Sequence, residues 1–312
     1  MLVKMATYYE HIPVMLQECM DALITDKDAI YVDGTLGGGG HSLEILNNLS
    51  EQGELFSIDQ DDEAIAAASE RIGSDNRFTI LKGNFGYLST LLPPQIHGQV
   101  AGILLDLGVS THQIKEGERG FSFQENGPLD MRMGNLTGFS AYQVVNSYEY
   151  QQLRDVIFHY GEEHASRQIA RAIIDARPIE TTGELKAAIS EVVKGKFQIK
   201  TLARVFQGIR IEVNRELEML KDVLTQSLEM LKPGGRLVVM SYHSLEDRIV
   251  KRFFKAGNLE GKVEKDFYGN VLSPLNPVNR QVITPTDVEI SSNPAARSAK
   301  LRIAEKTKGG GS

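Results

Sequence analysis

The chain of 312 residues is predicted to be an α/β protein, a parallel doubly wound sheet into which a helical segment is inserted. Three observations predict it. Short apolar runs of strand length alternate with helical patterns in the first third and return near the end. A glycine-rich turn lies between the first run and the first helix. From Ala141 to about Gln207 the apolar period is helical, with no convincing strand.

The elements follow in order. AIYVDG (29–34) is a short apolar run ending at glycine, and VDGTLGGGGHS leads from it into HSLEILNNL. ELFSID (54–59) is a second strand, and the acids that open DDEAIAAASERI suit the positive end of a helix. FTILKGN (78–84) and AGILLDLG (101–108) supply two more strands. GERGFSFQENGPLDMRMGNLTGFS is rich in Gly, Asn and Ser and too long for an ordinary connection, which marks it as functional. QQLRDVIFHY and HASRQIARAIIDA are the clearest helices beyond it. A long helix at about 209–231 ends in LKPGG, and RLVVMS (236–241) follows as a buried strand. The helix SLEDRIVKRFFK, a loop with Pro274, Pro277 and Pro285, and a strand near SAKLRIAE complete the chain. These readings place a core at 1–131 and 208–312 and a helical insertion, expected to recognise substrate, at 132–207.

Composition narrows the function classes. With 41% apolar and 24% charged residues the chain is ordinary globular protein. No apolar run reaches the roughly 18 to 20 residues of a membrane span. Glu10, His11 and Pro13 interrupt the apolar stretches of the N-terminus, so no signal peptide is expected there. A single cysteine, Cys19, excludes a disulfide framework and a Cys-rich zinc module. HYGEEH is not HExxH, and no metal site is implied. A cytoplasmic protein without membrane attachment is expected. The net charge of −7 hides an asymmetry: residues 1–150 carry 8 Lys and Arg against 21 acids, and residues 151–312 carry 26 against 20. Lys194, Lys196, Lys200, Arg204, Arg210 and Arg215 are opposed only by Glu212. That stretch either holds phosphates or is a solvated helix face.

In a doubly wound sheet the glycine turn lies at the carboxyl ends of the strands, where ligands bind. Its spacing is not GxGxxG. Asp59 ends the second strand about 20 residues beyond the turn, where an acid either accepts both ribose hydroxyls of a nucleotide or caps the next helix. Asp106 ends the fourth strand inside ILLDLG. It is either a satisfied strand-end residue or faces the ligand crevice, since a buried carboxylate needs partners. Gln113 lies just beyond it. Glycine turn, ribose acid and fourth-strand acid together describe a Rossmann-type S-adenosylmethionine-dependent methyltransferase.

VDGTLGGGGHS, ERGFSF, GPLDMRM, FQGIRIEVNREL, SYHSLEDRIVKRFF and NPAARSAKLRIAE resemble, in order, the motifs of the bacterial small-subunit ribosomal RNA cytosine-N4 methyltransferases, the MraW family. The resemblance runs from His11 to about Glu305. It departs at Gly38, and at Ala295 or Ala296, where many members carry arginine. It implies methylation of a cytidine N4 amine in 16S ribosomal RNA, within the small subunit, with S-adenosylmethionine as cofactor, and it leaves a homodimer open. Carried over by position, Gly39, Gly40 and His41 would lie along the methionine part of the cofactor. Asp59 would hold the ribose, Phe85 would pack on the adenine, and Asp106 and Gln113 would complete the pocket. Without the family, Phe85 reads as a core aromatic and His41 as a helix-start polar residue.

The amine lone pair is delocalised into the ring, so acceptors must draw on its hydrogens and take a proton as the new bond forms. The tetrapeptide (N/D/S)PP(Y/F) is replaced here by DLGVS. Asp106, Ser110, Asp130 and His243 are the candidate acceptors. Asp130 could equally pair with Arg132, and His243 could cap the 245–255 helix. Phe121 and Phe123 either stack on bases or pin the long loop to the core. Two other classes compete: a methyltransferase acting on protein or a small molecule, and a nucleotide-binding module without chemistry.

Overall fold

The computed structural model of the protein describes residues 12–134, 138–269, 271–279 and 281–307. The expected absence of a signal peptide rests largely on residues 1–11, which lie outside the described residues. Seven strands form one sheet in the order β3-β2-β1-β4-β5-β7-β6. They are β1 (Ile30–Asp33), β2 (Glu54–Asp59), β3 (Phe78–Lys82), β4 (Val100–Asp106), β5 (Leu231–Ser241), β6 (Leu275–Pro277) and β7 (Lys300–Lys306). β1 to β5 pair in parallel, and β7 runs antiparallel to both β5 and β6. This is the doubly wound, mostly parallel α/β sheet that the sequence predicts.

Alternation along the strands divides the core between the two faces of the sheet. Val32, Phe56, Ile103, Leu105, Leu237 and Val239 share a cluster with Leu220, Val223, Leu224, Phe253 and Phe254, from the helices Glu216–Met230 and Ser244–Ala256. Tyr31, Leu55, Leu104, Val238 and Met240 lie in the other cluster, with Cys19 and Leu23 of helix Leu16–Leu23 and Ile45 and Leu46 of helix Gly40–Asn48. Among the described residues no helix is long and apolar enough to cross a membrane.

The chain divides into two compact units, residues 1–108 with 217–312, and residues 109–216. The second unit is helical and wider than the 132–207 expected from sequence. At its start, Phe121, Leu129 and Met131 leave the Gly-rich segment to join a core with Val144, Ile157, Ile169, Ile173, Leu185 and Val205. At its end, position 207 falls inside the continuous helix Gln198–Asn214. The single long helix expected at about 209–231 is therefore corrected to two. Arg215, at φ 50°, breaks the run, and Glu216–Met230 begins after it. The KPGG turn lies within β5: pairing with β4 steps from Val100–Leu231 to Gly102–Arg236, so residues 232–235 bulge out of the ladder. The proline loop contains β6, three residues long, which has too few residues to show a period.

Candidate active site

β1, β2 and β4 each end in an aspartate, Asp33, Asp59 and Asp106, and the glycine turn passes over their carboxyl ends. Two backbone bonds fix its course: Gly34 N–H donates to the Leu104 carbonyl at 2.9 Å and Leu36 N–H to the Ile58 carbonyl at 2.9 Å. Asp33, fully buried, fastens the turn from inside. It accepts from Ser42 Oγ at 2.7 Å and from Thr35 N–H at 3.0 Å. Thr35 Oγ1 in turn accepts from Asp106 N–H at 2.7 Å, which ties the end of β4 to the turn. Sequence reasoning passed over Asp33, although it ends β1 as Asp59 and Asp106 end their strands.

Gly39 and Gly40 have protein neighbours that account for their lack of a side chain. Gly39 sits at φ 76°, and a Cβ there would lie 3.0 Å from Ala68 Cβ. A Cβ on Gly40 would overlap the Pro13 ring. The turn is thus drawn against the rest of its own unit as helix Gly40–Asn48 begins.

Asp59 is not a helix cap. Asp61 takes that place and accepts from Glu63 N–H at 3.1 Å. Asp59 instead accepts Gly37 N–H on Oδ2 at 2.8 Å and Asp61 N–H on Oδ1 at 2.9 Å. The two bonds orient the carboxylate and leave each oxygen another lone pair. Burial pushes its pKa up to about 6 against the pull of these N–H groups.

Asp106 ends β4 at the same edge of the sheet. Its Oδ1 accepts from the Tyr242 hydroxyl at 2.8 Å, and its Oδ2 lies 3.8 Å from His41 Nδ1, beyond hydrogen-bond distance. Burial raises its pKa to about 6, while the His41 charge and the Tyr242 hydrogen bond pull it down. His41 is buried, with Nε2 3.1 Å from the Val14 carbonyl. A carbonyl can only accept, so Nε2 carries a hydrogen. Tyr242 stands just past the end of β5, whose Met240 pairs with Asp106 across the ladder. It was not singled out from sequence, and SYHSLED offered no signal beyond its place after a strand.

Phe85 opens a short 3-10 turn after β3 and packs partly against the core, as its alternative reading has it. His243 is the N-cap of helix Ser244–Ala256. Glu246 reaches back to accept from His243 N–H at 3.2 Å and Tyr242 N–H at 2.9 Å. The cap reading of His243 is what the geometry shows, and Glu246 is the residue that sets Tyr242.

The remaining predicted residues belong to the helical unit. Gln113 and Ser110 form the capping box of helix Thr111–Lys115. Asp130 is held in a two-point pair with Arg132 at 2.7 and 2.9 Å. Burial alone would raise the Asp130 pKa, but the Arg132 hydrogen bonds and charge outweigh it and keep it below the usual range. Phe121 is buried and Phe123 meets Phe206 edge-on, with centroids 5.5 Å apart, so both pin the loop to the core. In the basic stretch Arg204 contacts Glu163 at 3.4 Å and Arg210 contacts Glu216 at 2.8 Å, whereas Lys194, Lys196 and Lys200 are exposed.

The donor set fits a cationic nucleoside. Among the described residues neither Asp59 nor Asp106 is ion-paired to a lysine or arginine, and repulsion from Asp61 or from Asp33 and Glu246 adds to the burial that raises their pKa values. A sulfonium and an ammonium would relieve that repulsion. A parallel sheet with one reversed strand, a glycine turn, and acids ending β1, β2 and β4 define the class, a Rossmann-type methyltransferase. Residues 8–307 match the MraW methylase family, and the chain belongs to it. Similar proteins include "Ribosomal RNA small subunit methyltransferase H" of Bacteroides fragilis strain YCH46, 50% identical over 95% of this chain and 97% of that protein. Proteins of the same name from Parabacteroides distasonis and Flavobacterium johnsoniae are 50% and 51% identical, each over 95% of this chain and 97% of its own length.

Proposed function

We propose that the protein transfers a methyl group from S-adenosylmethionine to the N4 amine of a cytidine in 16S ribosomal RNA, on the small ribosomal subunit in the cytoplasm. The observation that carries the RNA reading is the half-identity, over nearly the full length of both chains, to relatives named as small-subunit ribosomal RNA methyltransferases. Asp106 supports the choice of an exocyclic amine. The cofactor supplies an electrophilic methyl, and the protein's part is to align the amine and manage its proton.

With Oδ1 engaged by Tyr242, Asp106 Oδ2 is the oxygen that accepts an N4 hydrogen and draws the lone pair out of the ring. As the amine takes the methyl from the sulfonium, the S–CH3 bond would break to leave a neutral thioether, and the nitrogen would lose one proton to Oδ2. A carboxyl with a pKa of about 6 takes it and returns it to water near neutral pH. His41 lies along the methionine part of the cofactor, and Asp59 orients the cofactor through its ribose. Gly39, Gly40, Phe85 and Gln113 are the other proposed cofactor contacts, and Asp130 and His243 are the reserve acceptors. The helical unit with exposed Lys194, Lys196 and Lys200 is the proposed RNA-recognition part. Incubating the protein with labelled S-adenosylmethionine and purified small subunits tests this. Label must enter the RNA as N4-methylcytidine; label in protein, or at another nucleoside position, overturns it.

A further inference from the structure

Phe267 and Tyr268 are 97% and 86% exposed, the most exposed large apolar side chains among the described residues. They sit side by side on a turn between Lys265 and Val271. Lys265 and Val271 bridge its ends, Leu272 N–H donates to the Glu264 carbonyl at 2.8 Å, and Gly269 closes the turn at φ 87°. Asp266 holds the tip, accepting from Tyr268 N–H on its side chain at 2.9 Å and from Gly269 N–H on its carbonyl at 3.0 Å. The rings stand edge to face, with centroids 5.6 Å apart and planes at 87°. Both rings are presented bare to solvent.

The approach to the turn is basic. Helix Ser244–Ala256 buries Val250, Phe253 and Phe254 and leaves Lys251, Arg252 and Lys255 exposed. Asn258 exchanges hydrogen bonds with the Lys262 backbone at 2.8 and 3.0 Å, leading the chain on to exposed Lys262 and Lys265. Exposed acids on this stretch are Glu260 and Glu264 alone. Aromatic faces that accept unpaired bases beside cations that track phosphates are what single-stranded nucleic acid requires.

We infer that the Phe267–Tyr268 turn, with the exposed cations of the helix and loop that lead to it, is a contact surface for an unpaired segment of the RNA substrate. This rests on the RNA reading above and assigns it a second surface, apart from the methyl-transfer site.

The chain contains no tryptophan, so Phe267→Trp or Tyr268→Trp carries the protein's single indole fluorophore. Single-stranded RNA should quench its emission saturably, more than a duplex of equal length, and added salt should reverse the effect. Phe267→Ala with Tyr268→Ala should weaken single-strand binding about tenfold or more, with the unfolding temperature and cofactor affinity unchanged. Emission indifferent to saturating RNA, or answering only to anionic vesicles or to the protein's own concentration, overturns the inference. So does a double variant that methylates small subunits at the parental rate and RNA concentration. If the parental protein transfers no methyl to RNA, the function reading itself falls, and the surface with it.

Discussion

Replacing Asp106 with asparagine separates two effects that the site combines. Asparagine can still accept the Tyr242 hydroxyl on its amide oxygen, but it turns an NH2 donor toward His41 Nδ1 and the target amine, where Oδ2 stood. The N4 hydrogens lose their acceptor, and single-turnover methylation should slow by about 10²-fold or more, roughly 2.7 kcal/mol of barrier. Stability should move the other way. The folded pKa of Asp106 is about 6 against an ordinary 3.8, so the folded state binds the proton more tightly. Ionising the buried group at pH 7 therefore costs the fold about 3 kcal/mol, at about 1.4 per pKa unit. That cost is absent below about pH 4, grows between pH 4 and 6, and is complete above pH 6. Asp106→Asn should thus melt higher than the parent at pH 7.5, and the gap should close as pH falls to 4. The parental rate should drop below about pH 6 as Asp106 takes a proton, and the mutant should lose that limb. Rapid-quench kinetics under saturating cofactor and melting curves at pH 4 and 7.5 read both effects. A variant with the parental single-turnover rate would refute the acceptor role and pass it to Asp130 or His243.

Asp59→Ala should weaken S-adenosylmethionine binding by roughly 1.5–3 kcal/mol, since the ribose hydroxyls lose a charged acceptor; unchanged affinity by calorimetry in a folded variant removes Asp59 from the site. Tyr242→Phe deletes the donor that stabilises ionised Asp106, so the acid limb of the rate profile should move to higher pH; an unmoved limb would mean that Asp106 does not set it. Lys196→Glu with Lys200→Glu should reduce RNA affinity and flatten its dependence on salt, and an unaltered salt slope would return both lysines to a solvated face. Arg204 is left out of that test because its contact with Glu163 would turn into repulsion and disturb the helical unit.

The sheet was legible because parallel strands buried on both faces must be rich in apolar residues, and 100–105 is a continuous apolar run of that kind. The glycine turn and two of its acids were legible from their place after the strands. The limits of the helical unit were not. Residues 109–131 have no apolar period, yet Phe121, Leu129 and Met131 are buried, because a loop can fill a core without repeating. The break at Arg215 lies inside one unbroken amphipathic pattern, and the left-handed conformation there has no glycine to announce it. Tyr242 escaped notice because its partner, Asp106, lies 136 positions away and meets it only through the β4–β5 ladder. For His243 and Asp130 the local readings, cap and Arg132 partner, were visible at two- and three-residue spacing and describe the geometry found.

The central claim is methylation of a cytidine N4 amine in small-subunit ribosomal RNA, and nucleoside mass spectrometry of that RNA from cells with and without this protein tests it most directly. N4-methylated cytidine should be present with the protein, absent without it, and restored by the parental protein but not by Asp106→Asn. An unchanged N4-methylcytidine signal in cells lacking the protein would contradict the account.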